Sequence, residues 1–322
     1  MPPFSVLRSV SDFNRACGLL ALALVGASAS LPAAPPPPST AAVSAVAGAA
    51  PAKAKTAAEE TPLSLPGAET FVYRTVGDIS VRLHVFKPAG WRPGDRRSAL
   101  VYFFGGGWTH GTPLQAAGWA RWAAARGMVG MAPDYRVKNR AGTSPLEAVS
   151  DGRAALRWVE DLAIELGIDR SRIAVAGSSA GGHLALWTAI SHTPPGSDPS
   201  LAPTVKPAAL ILLSAVSDTS VATGYTPARF GENATALSPV HQLDPRMPPM
   251  LVFHGDADQT VPQAQSLALR DKLLSTANVC EFVNVPGGAH SFTSQPGWRE
   301  KSESLAEGFL KEQGLLPAQP HS

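Results

Sequence analysis

The chain has 322 residues, of which 44% are hydrophobic, and its 27 basic residues nearly balance its 25 acidic ones, giving a formal net charge of +2. A chain of this length can bury one large core or two modest ones. The balanced charge and the lack of a run of Lys and Arg argue against nucleic acid as a main partner, because phosphate binding normally shows as a basic patch.

The first 29 residues have the pattern of a secretory signal. Arginines precede an apolar run at residues 16–25, and small residues follow it, ending Ala27-Ser28-Ala29. A basic start, a short apolar core and an Ala-x-Ala end predict a signal peptide that is removed on export. A buried helix is the alternative, but the run is short and leads into a proline tract. We therefore expect an exported protein, periplasmic or secreted, with no membrane span after signal removal.

A low-complexity segment follows at residues 30–65. It consists mainly of Ala, Pro, Ser and Thr and includes four consecutive prolines at residues 35–38. It has no helix or strand periodicity, so we predict an extended linker. The remaining residues, 66–322, are predicted to form one domain. Removal of the signal would leave Cys280 as the only cysteine, which excludes an internal disulfide.

Strand-like and helix-like segments alternate through this domain. The first two strands, at residues 71–75 and 79–86, are predicted to form a hairpin, and the later strands are apolar throughout. This pattern predicts an α/β fold with a mostly parallel central sheet and helices on both faces, so that functional loops lie at its carboxyl edge. The later strands are predicted at residues 99–104, 128–132, 173–176, 209–213, 250–254 and 280–285, and the clearest helices at residues 145–166, 180–190, 263–274 and 298–310.

The sharpest functional motif is Gly-Ser-Ser-Ala-Gly-Gly at residues 177–182, between a predicted strand and a predicted helix. A nucleophilic hydroxyl must project from a strained strand-to-helix turn, and glycines remove the side chains that would clash there. The helix start also directs N–H groups and positive dipole towards charge that develops during a reaction. A glycine-rich turn that only packs is the alternative, but the flanking strand and helix favour Ser179 as a nucleophile.

Three more glycines follow the strand at residues 99–104. Glycines let the backbone approach a substrate oxygen and turn its N–H groups inwards. We predict that the N–H groups of Gly106, Gly107 and Ala180 form an oxyanion hole, where losing one donor typically lowers the rate by about 10²–10³. A flexible loop is the alternative, but the glycines follow a buried strand and precede the serine motif.

Two later loops carry the residue types that activate a serine. Asp256 and Asp258 follow the strand at residues 250–254, and His290 follows the last strand. A carboxylate is needed to hold the imidazole in the right tautomer, and the two aspartates compete for that role. The order Ser, Asp, His along the chain is that of α/β hydrolases.

With these motifs the chain resembles the esterase and lipase branch of the α/β-hydrolase superfamily over residues 99–292. The resemblance is closest to acetyl-esterase-like members, including those that act on acetylated xylan. It implies Ser179 as nucleophile, Asp258 as triad acid and His290 as base. The segments that carry it lie at residues 104–108, 133–136, 167–184 and 254–262.

The chain departs from the family pattern at two positions. Many relatives carry a His at the position of Phe104, where it helps to order the loop that contains the glycines at residues 105–107, called the oxyanion loop below. Relatives also often have an acidic residue in place of Ser178. Trp108 either lines the acyl pocket or packs the loop. The segment Asp134-Tyr135-Arg136 is predicted to form a structural network beneath the site.

The other histidines are predicted to be structural. His183 is expected to pack or cap, and His254 to bond local backbone. His110, His192 and His241 show no metal-ligand spacing, so we expect neither a metal nor another cofactor.

Three functions compete on this evidence. The first is an esterase for short acyl groups on a small-molecule or carbohydrate alcohol. The second is a peptidase of the same fold, which would usually have an aromatic residue before the nucleophile and a large extra domain. The third is a catalytically inactive binding module. Residues 216–246 are the best candidate for a cover over the site, so we expect a minimal cap and a shallow site that suits a short acyl chain.

Overall fold

The structure, a computed structural model, describes residues 61–317. The predicted signal at residues 1–29 and most of the predicted linker lie outside the described residues. The linker's last residues contact the domain: Thr61 Oγ1 donates to Asp134 Oδ2 at 2.7 Å, and Leu65 is buried.

Eight strands form a single sheet among the described residues, in the order β1-β2-β4-β3-β5-β6-β7-β8. β1 and β2 form the predicted antiparallel hairpin, and β2 pairs antiparallel with β4. All the remaining pairs of neighbouring strands are parallel. The sheet is therefore mostly parallel, as predicted. The strands are β1 (Glu69–Val76), β2 (Ile79–Phe86), β3 (Arg97–Phe103), β4 (Val129–Pro133), β5 (Ile168–Ser178), β6 (Ala209–Leu213), β7 (Met250–Gly255) and β8 (Cys280–Val285).

Helices cover both faces of this sheet. Every residue of β4, β6 and β7 is buried, and a strand can be buried throughout only when both of its faces are covered. None of the helices between residues 61 and 317 is long and apolar enough to cross a bilayer. The helices are α1 (Ala117–Ala124), α2 (Lys138–Ala141), α3 (Pro145–Asp161), α4 (Ala180–Trp187), α5 (Ala264–Ser275) and α6 (Trp298–Glu312).

Contacts also connect the helices to one another. An ion pair of 2.7 Å between Arg126 Nε, just beyond α1, and Glu307 Oε2 connects α6 to the end of α1. α3 packs against α4. α3 begins at a capping box in which the Ser144 hydroxyl accepts from the Leu146 N–H and the Glu147 carboxylate accepts from the Ser144 N–H.

The helices differ from the predictions in their ends and in their number: α4 was predicted to residue 190 but ends at Trp187, and α2 was not predicted. The apolar pattern predicted a helix over residues 145–166, but α3 ends at Asp161 because Leu162 leaves the helical region. Ala163 and Leu166 are nevertheless buried, so the apolar pattern continues through the turns that follow. α1 has only eight residues, too few to give a clear helical period, and was not predicted.

The sheet brings the predicted functional loops to one edge. The oxyanion glycines follow β3, Ser179 follows β5, Asp258 follows β7 and His290 follows β8. Since these four strands are parallel, all four loops leave the same carboxyl edge.

Candidate active site

Ser179 lies in the turn between β5 and α4, in a strained backbone conformation. Its φ is 53° and its ψ is −121°, a combination that non-glycine residues rarely adopt. The turn is fixed from two sides, because the Ser179 N–H donates to Leu213 O at 3.0 Å and its carbonyl accepts from the Val216 N–H at 3.2 Å. The structure thus has the strained strand-to-helix turn that the sequence predicted.

Close backbone approach explains the glycine two residues after Ser179. A Cβ on Gly181 would lie 2.2 Å from Phe103 O and 2.3 Å from Phe104 O. The start of α4 therefore lies directly against the end of β3, which places Ser179 next to the oxyanion loop.

His290 and Asp258 form a hydrogen-bonded pair. His290 Nδ1 lies 2.8 Å from Asp258 Oδ2, and the Thr260 and Val261 N–H groups donate to Asp258 Oδ1 at 2.8 and 2.9 Å. Burial by itself would raise the pKa of Asp258, but hydrogen bonds from His254, His290 and the Val261 N–H hold that pKa well below its usual range. An ionised carboxylate only accepts, so His290 Nδ1 is the donor and Nε2 is left as an acceptor.

Asp256 makes no such contact. It is exposed, its Oδ1 accepts from the Gly287 N–H at 2.7 Å, and its Oδ2 accepts from Asn284 Nδ2 at 3.3 Å. Of the two aspartates left open by the sequence pattern, the one beside the histidine is Asp258.

His254 has a contact that the sequence did not indicate. Its Nε2 lies 2.9 Å from Val261 O, the local backbone bond that was predicted, and also 3.2 Å from Asp258 Oδ2. Since both are acceptors, Nε2 carries the proton, and Nδ1 accepts from Ser266 Oγ at 2.6 Å. His254 therefore helps to hold Asp258 through Oδ2, the same oxygen that accepts from His290. The only sequence signal was its spacing of four residues from Asp258.

The oxyanion loop is ordered by its own hydrogen bonds. Gly106 O accepts from the Thr109 N–H at 3.1 Å, from Thr109 Oγ1 at 3.1 Å and from the His110 N–H at 3.2 Å. In a trans peptide the carbonyl and the following N–H point in opposite directions, so the Gly107 N–H points away from these donors. Gly106 and Gly107 both line the cleft that contains Ser179. Gly106 has a φ of 137°, and a Cβ there would lie 2.1 Å from His110 O.

Phe104 anchors this loop by packing. Its ring is buried and stacks on Tyr135, with ring centroids 4.1 Å apart and planes at 13°, and Tyr135 Oη donates to Phe104 O at 2.9 Å. Arg140 forms an ion pair with Asp134 at 2.7 Å and donates to Gly111 O at 3.0 Å. The loop is therefore fixed without the family histidine. Asp134 and Tyr135 belong to the structural network that was predicted, and Arg136, the third residue of that segment, forms an ion pair with Asp151 of α3 at 2.8 Å.

Trp108 packs the loop and does not line the cleft. Its buried ring makes edge contacts with His183, at a centroid distance of 5.1 Å, and with Phe230, at 4.8 Å. His183 is fully buried, with Nε2 2.8 Å from Leu237 O, and burial lowers its pKa to about 4. His183 therefore has the packed role that was predicted for it.

One cleft of about 850 Å³ contains Ser179, His290 and the oxyanion glycines. The cover predicted at residues 216–246 consists of loops and single turns of 3₁₀ helix, and it contributes Tyr225 and Arg229 to the cleft. Among the described residues, no group of three or more His, Cys, Asp or Glu side chains could hold a metal ion. The structure thus brings all the predicted site residues to one edge, while their catalytic roles stay predictions.

Comparisons with family models and with known proteins both indicate the α/β-hydrolase family. The model of a family described as having the alpha/beta hydrolase fold matches residues 100–237, and the BD-FAE family model matches residues 204–273. Esterase LipC of Mycobacterium tuberculosis is 29% identical over 223 residues, which cover 62% of this chain and 54% of LipC. Carboxylesterase NlhH of the same species is 38% identical over 143 residues, 41% of this chain and 42% of NlhH. The matches thus span about half the length of these curated relatives.

A solved structure matches more completely. Esterase 2 of Thermogutta terrifontis, phosphoramylated by tabun, is 39% identical with a TM-score of 0.73, over 79% of this chain and 97% of that one. The butyrate-bound form of that esterase is 37% identical, with the same TM-score and coverage.

Proposed function

The chain belongs to the α/β-hydrolase family, in its esterase branch, and we propose from this premise that it hydrolyses carboxylic esters with Ser179 as the nucleophile. His290 acts as the general base and Asp258 as the triad acid. The N–H groups of Gly106, Gly107 and Ala180 form the oxyanion hole.

The reaction passes through an acyl-enzyme. Ser179 Oγ attacks the ester carbonyl carbon while His290 Nε2 takes the hydroxyl proton, and the carbonyl oxygen becomes an oxyanion held by the three N–H groups. The bond between the acyl carbon and the alcohol oxygen then breaks, and His290 gives its proton to the leaving alcohol. Water repeats the sequence on the acyl-enzyme, which releases the acid and restores the Ser179 hydroxyl.

The observation that carries this proposal is the hydrogen bond of 2.8 Å between His290 Nδ1 and Asp258 Oδ2, in a cleft that Ser179 and His290 both line. Because Nδ1 is occupied in donating to the carboxylate, Nε2 is available to take a proton. A protein that only binds its ligand needs neither this tautomer nor a serine on a strained turn.

The substrates are proposed to be esters of short acyl groups. Support comes from the minimal cover, which leaves the cleft open, and from the related Thermogutta esterase, which has been solved with butyrate and with propionate bound. An open cleft also accommodates a bulky alcohol, and acetyl groups on carbohydrates are the candidate of this kind.

The test is covalent labelling with a fluorophosphonate. The reagent should attach to Ser179, and labelling should fall sharply in His290→Ala. Ser179→Ala should abolish hydrolysis of p-nitrophenyl acetate without loss of folding, because this side chain contributes little to the core. Ser178→Ala is the matched control and should lower hydrolysis of p-nitrophenyl acetate much less.

Substrate scope is measured with p-nitrophenyl esters of rising acyl length beside acetylated xylan. Activity confined to short acyl chains would support the proposal, and a preference for long chains would contradict it. Labelling at Ser178, or unchanged turnover in Ser179→Ala, would exclude the mechanism. A folded protein that takes no label would favour an inactive binding module, and cleavage of peptide substrates alone would favour a peptidase.

Export is a separate proposal, which the sequence of residues 1–29 supports. N-terminal sequencing of protein recovered outside the cytoplasm should begin near Ser30. An intact Met1 or Pro2 on exported protein would contradict removal of a signal.

A further inference from the structure

Three arginines line the cleft of the candidate active site, and no described acidic side chain does. Arg121 belongs to α1, Arg229 to the cover segment and Arg299 to α6. The Asp258 side chain is fully buried behind His290 and does not line the cleft. Since the whole chain has 27 basic and 25 acidic residues, a cleft lined by three arginines and by no described acidic side chain does not follow from composition alone.

Arg229 lies directly over the oxyanion loop. Its Nη1 donates to Gly107 O at 3.1 Å, and the same atom lies 2.6 Å from the position that a Cβ on Gly107 would occupy. A guanidinium has five N–H donors, so this bond leaves donors of the exposed side chain for a ligand. Within residues 61–317, the hydrogen-bond partner of the Arg229 guanidinium is the Gly107 carbonyl, an uncharged group.

Arg121 and Arg299 both lie on the α1 side of the cleft, but only the Arg299 guanidinium lies at Gly118, which lines the cleft. Arg299 Nη2 lies 2.8 Å from the position of a Cβ on Gly118, and Arg121 follows Gly118 by three residues, on the same helical face. Arg299 is partly neutralised by Glu303, whose Oε1 lies 3.1 Å from its Nε. The Arg121 guanidinium lies over the Phe86 ring, 4.9 Å from its centroid, and donates to Pro66 O at 3.1 Å, so Arg229 and Arg299 are the cations available to a ligand in the cleft.

The positive charge of Arg299 acts on Tyr102, a residue that lines the cleft. Tyr102 lines the cleft and is buried, and burial raises its pKa to about 12, while the positive charge of Arg299 acts in the opposite direction. Arg299 is therefore close enough to affect a group that lines the cleft. The cleft thus presents positive charge from two sides, the oxyanion loop and α1.

We propose that the preferred ester substrates carry a carboxylate, on either the acyl or the alcohol portion, which the arginines of this cleft bind. This inference rests on the ester hydrolysis proposed above and adds its substrate class. A guanidinium matches a carboxylate because its parallel N–H groups donate to both oxygens. The attraction is strongest when the bound substrate displaces water from the cleft.

The test compares charged and neutral esters of nearly equal shape. On the alcohol side, 4-acetoxybenzoate is compared with 4-acetoxybenzamide. On the acyl side, monoethyl adipate is compared with its monoamide. We expect kcat/KM to be about tenfold higher for the charged member of at least one pair, which corresponds to about 1.4 kcal/mol. This ratio should fall severalfold when salt rises from about 0.02 M to about 0.5 M, because salt screens exposed charges.

Variants assign the preference to the arginines. Arg229→Gln and Arg299→Gln should each lower the charged-to-neutral ratio about threefold, and Arg299→Lys should retain most of it. Arg246→Gln makes the same change of charge outside the cleft and should leave the ratio unchanged. The ratio is the measured quantity because Arg229 also contacts the oxyanion loop, and any effect on that loop acts equally on both members of a pair.

The outcomes separate this inference from the proposed function. If neutral esters are hydrolysed and neither pair shows a preference for charge, the inference is wrong and ester hydrolysis stands. A preference that survives both glutamine variants would also overturn it. If no ester is hydrolysed, including p-nitrophenyl acetate, the proposed function itself fails and takes this inference with it. The pair that shows the preference identifies the portion of the substrate that carries the carboxylate.

Discussion

Replacing Asp258 with Asn should remove most of the activity while leaving the protein folded. Asp258 Oδ1 accepts from the Thr260 and Val261 N–H groups, and an Asn oxygen in that position would still do so. The Asn NH₂ group would then occupy the position of Oδ2, 2.8 Å from His290 Nδ1. The NH₂ group and the Nδ1–H of His290 are both donors and cannot bond to each other. The imidazole would therefore carry its proton on Nε2, and Nε2 could not accept the proton of Ser179.

The expected loss in kcat is about 10⁴-fold, the size seen when a triad histidine is held in the wrong tautomer. Stability should fall as well, because His254 Nε2 also lies 3.2 Å from Asp258 Oδ2 and would face the same NH₂ group. An unsatisfied buried donor costs about 1–3 kcal/mol, which is less than the free energy of unfolding of a typical domain. The variant should therefore fold and be nearly inactive.

The assay measures kcat with saturating p-nitrophenyl acetate and the free energy of unfolding in urea. Asp256→Asn is the matched control: it makes the same change of charge two residues away, at an exposed carboxylate that accepts from the Gly287 N–H at 2.7 Å. It should keep kcat within a fewfold of wild type. If Asp258→Asn stays within tenfold of wild type, or if Asp256→Asn loses orders of magnitude, the reasoning from tautomer and geometry is refuted.

Two further predictions concern the oxyanion loop and the pH dependence of stability. Thr109→Val removes one of three donors to Gly106 O, a bond of about 1 kcal/mol, so kcat should fall about fivefold with KM nearly unchanged, and Thr109→Ser should retain activity. Because burial lowers the pKa of His183 to about 4, below its value near 6.5 in the unfolded chain, the stability that its neutral form contributes is present above pH 6.5 and is lost as pH falls towards 4. The free energy of unfolding in urea is measured at about pH 7 and about pH 4.5. Its decrease between these pH values should be about 2–3 kcal/mol smaller in His183→Gln than in wild type, and an equal decrease in both proteins would contradict the assignment.

The sequence predicted the parts of the site that depend on local chain geometry. The turn at Ser179 needs small residues around it whatever the rest of the fold does, so its glycines are visible in any sequence that contains it. Buried parallel strands are apolar throughout, which marks the strand that precedes each functional loop. The sequence pattern therefore placed Ser179, Asp258 and His290 in loops that the structure brings to one edge of the sheet, although it did not decide between Asp256 and Asp258 without the family resemblance.

Contacts between distant segments could not be predicted in this way. Arg229 lies 122 positions from Gly107, and nothing in the local pattern of either residue indicates their hydrogen bond. Likewise, α1 is recognisable only from its packing on β4 and β3, since its eight residues contain only two helical turns. The contact between His254 and Asp258 depends on how the loop after β7 folds back, which the spacing of four residues permits but does not require.

The cover segment connects the order of the oxyanion loop to the charge of the cleft. Two consecutive residues of that segment contact the loop, because Arg229 donates to Gly107 O and the Phe230 ring packs against Trp108 at 4.8 Å. Arg229 also lines the cleft, where we propose that it binds the substrate carboxylate. A substitution there therefore changes the support of the loop and the preference for charge together. Only a ratio between matched substrates separates these two effects, since support of the loop acts on every ester while the cation acts only on the charged one.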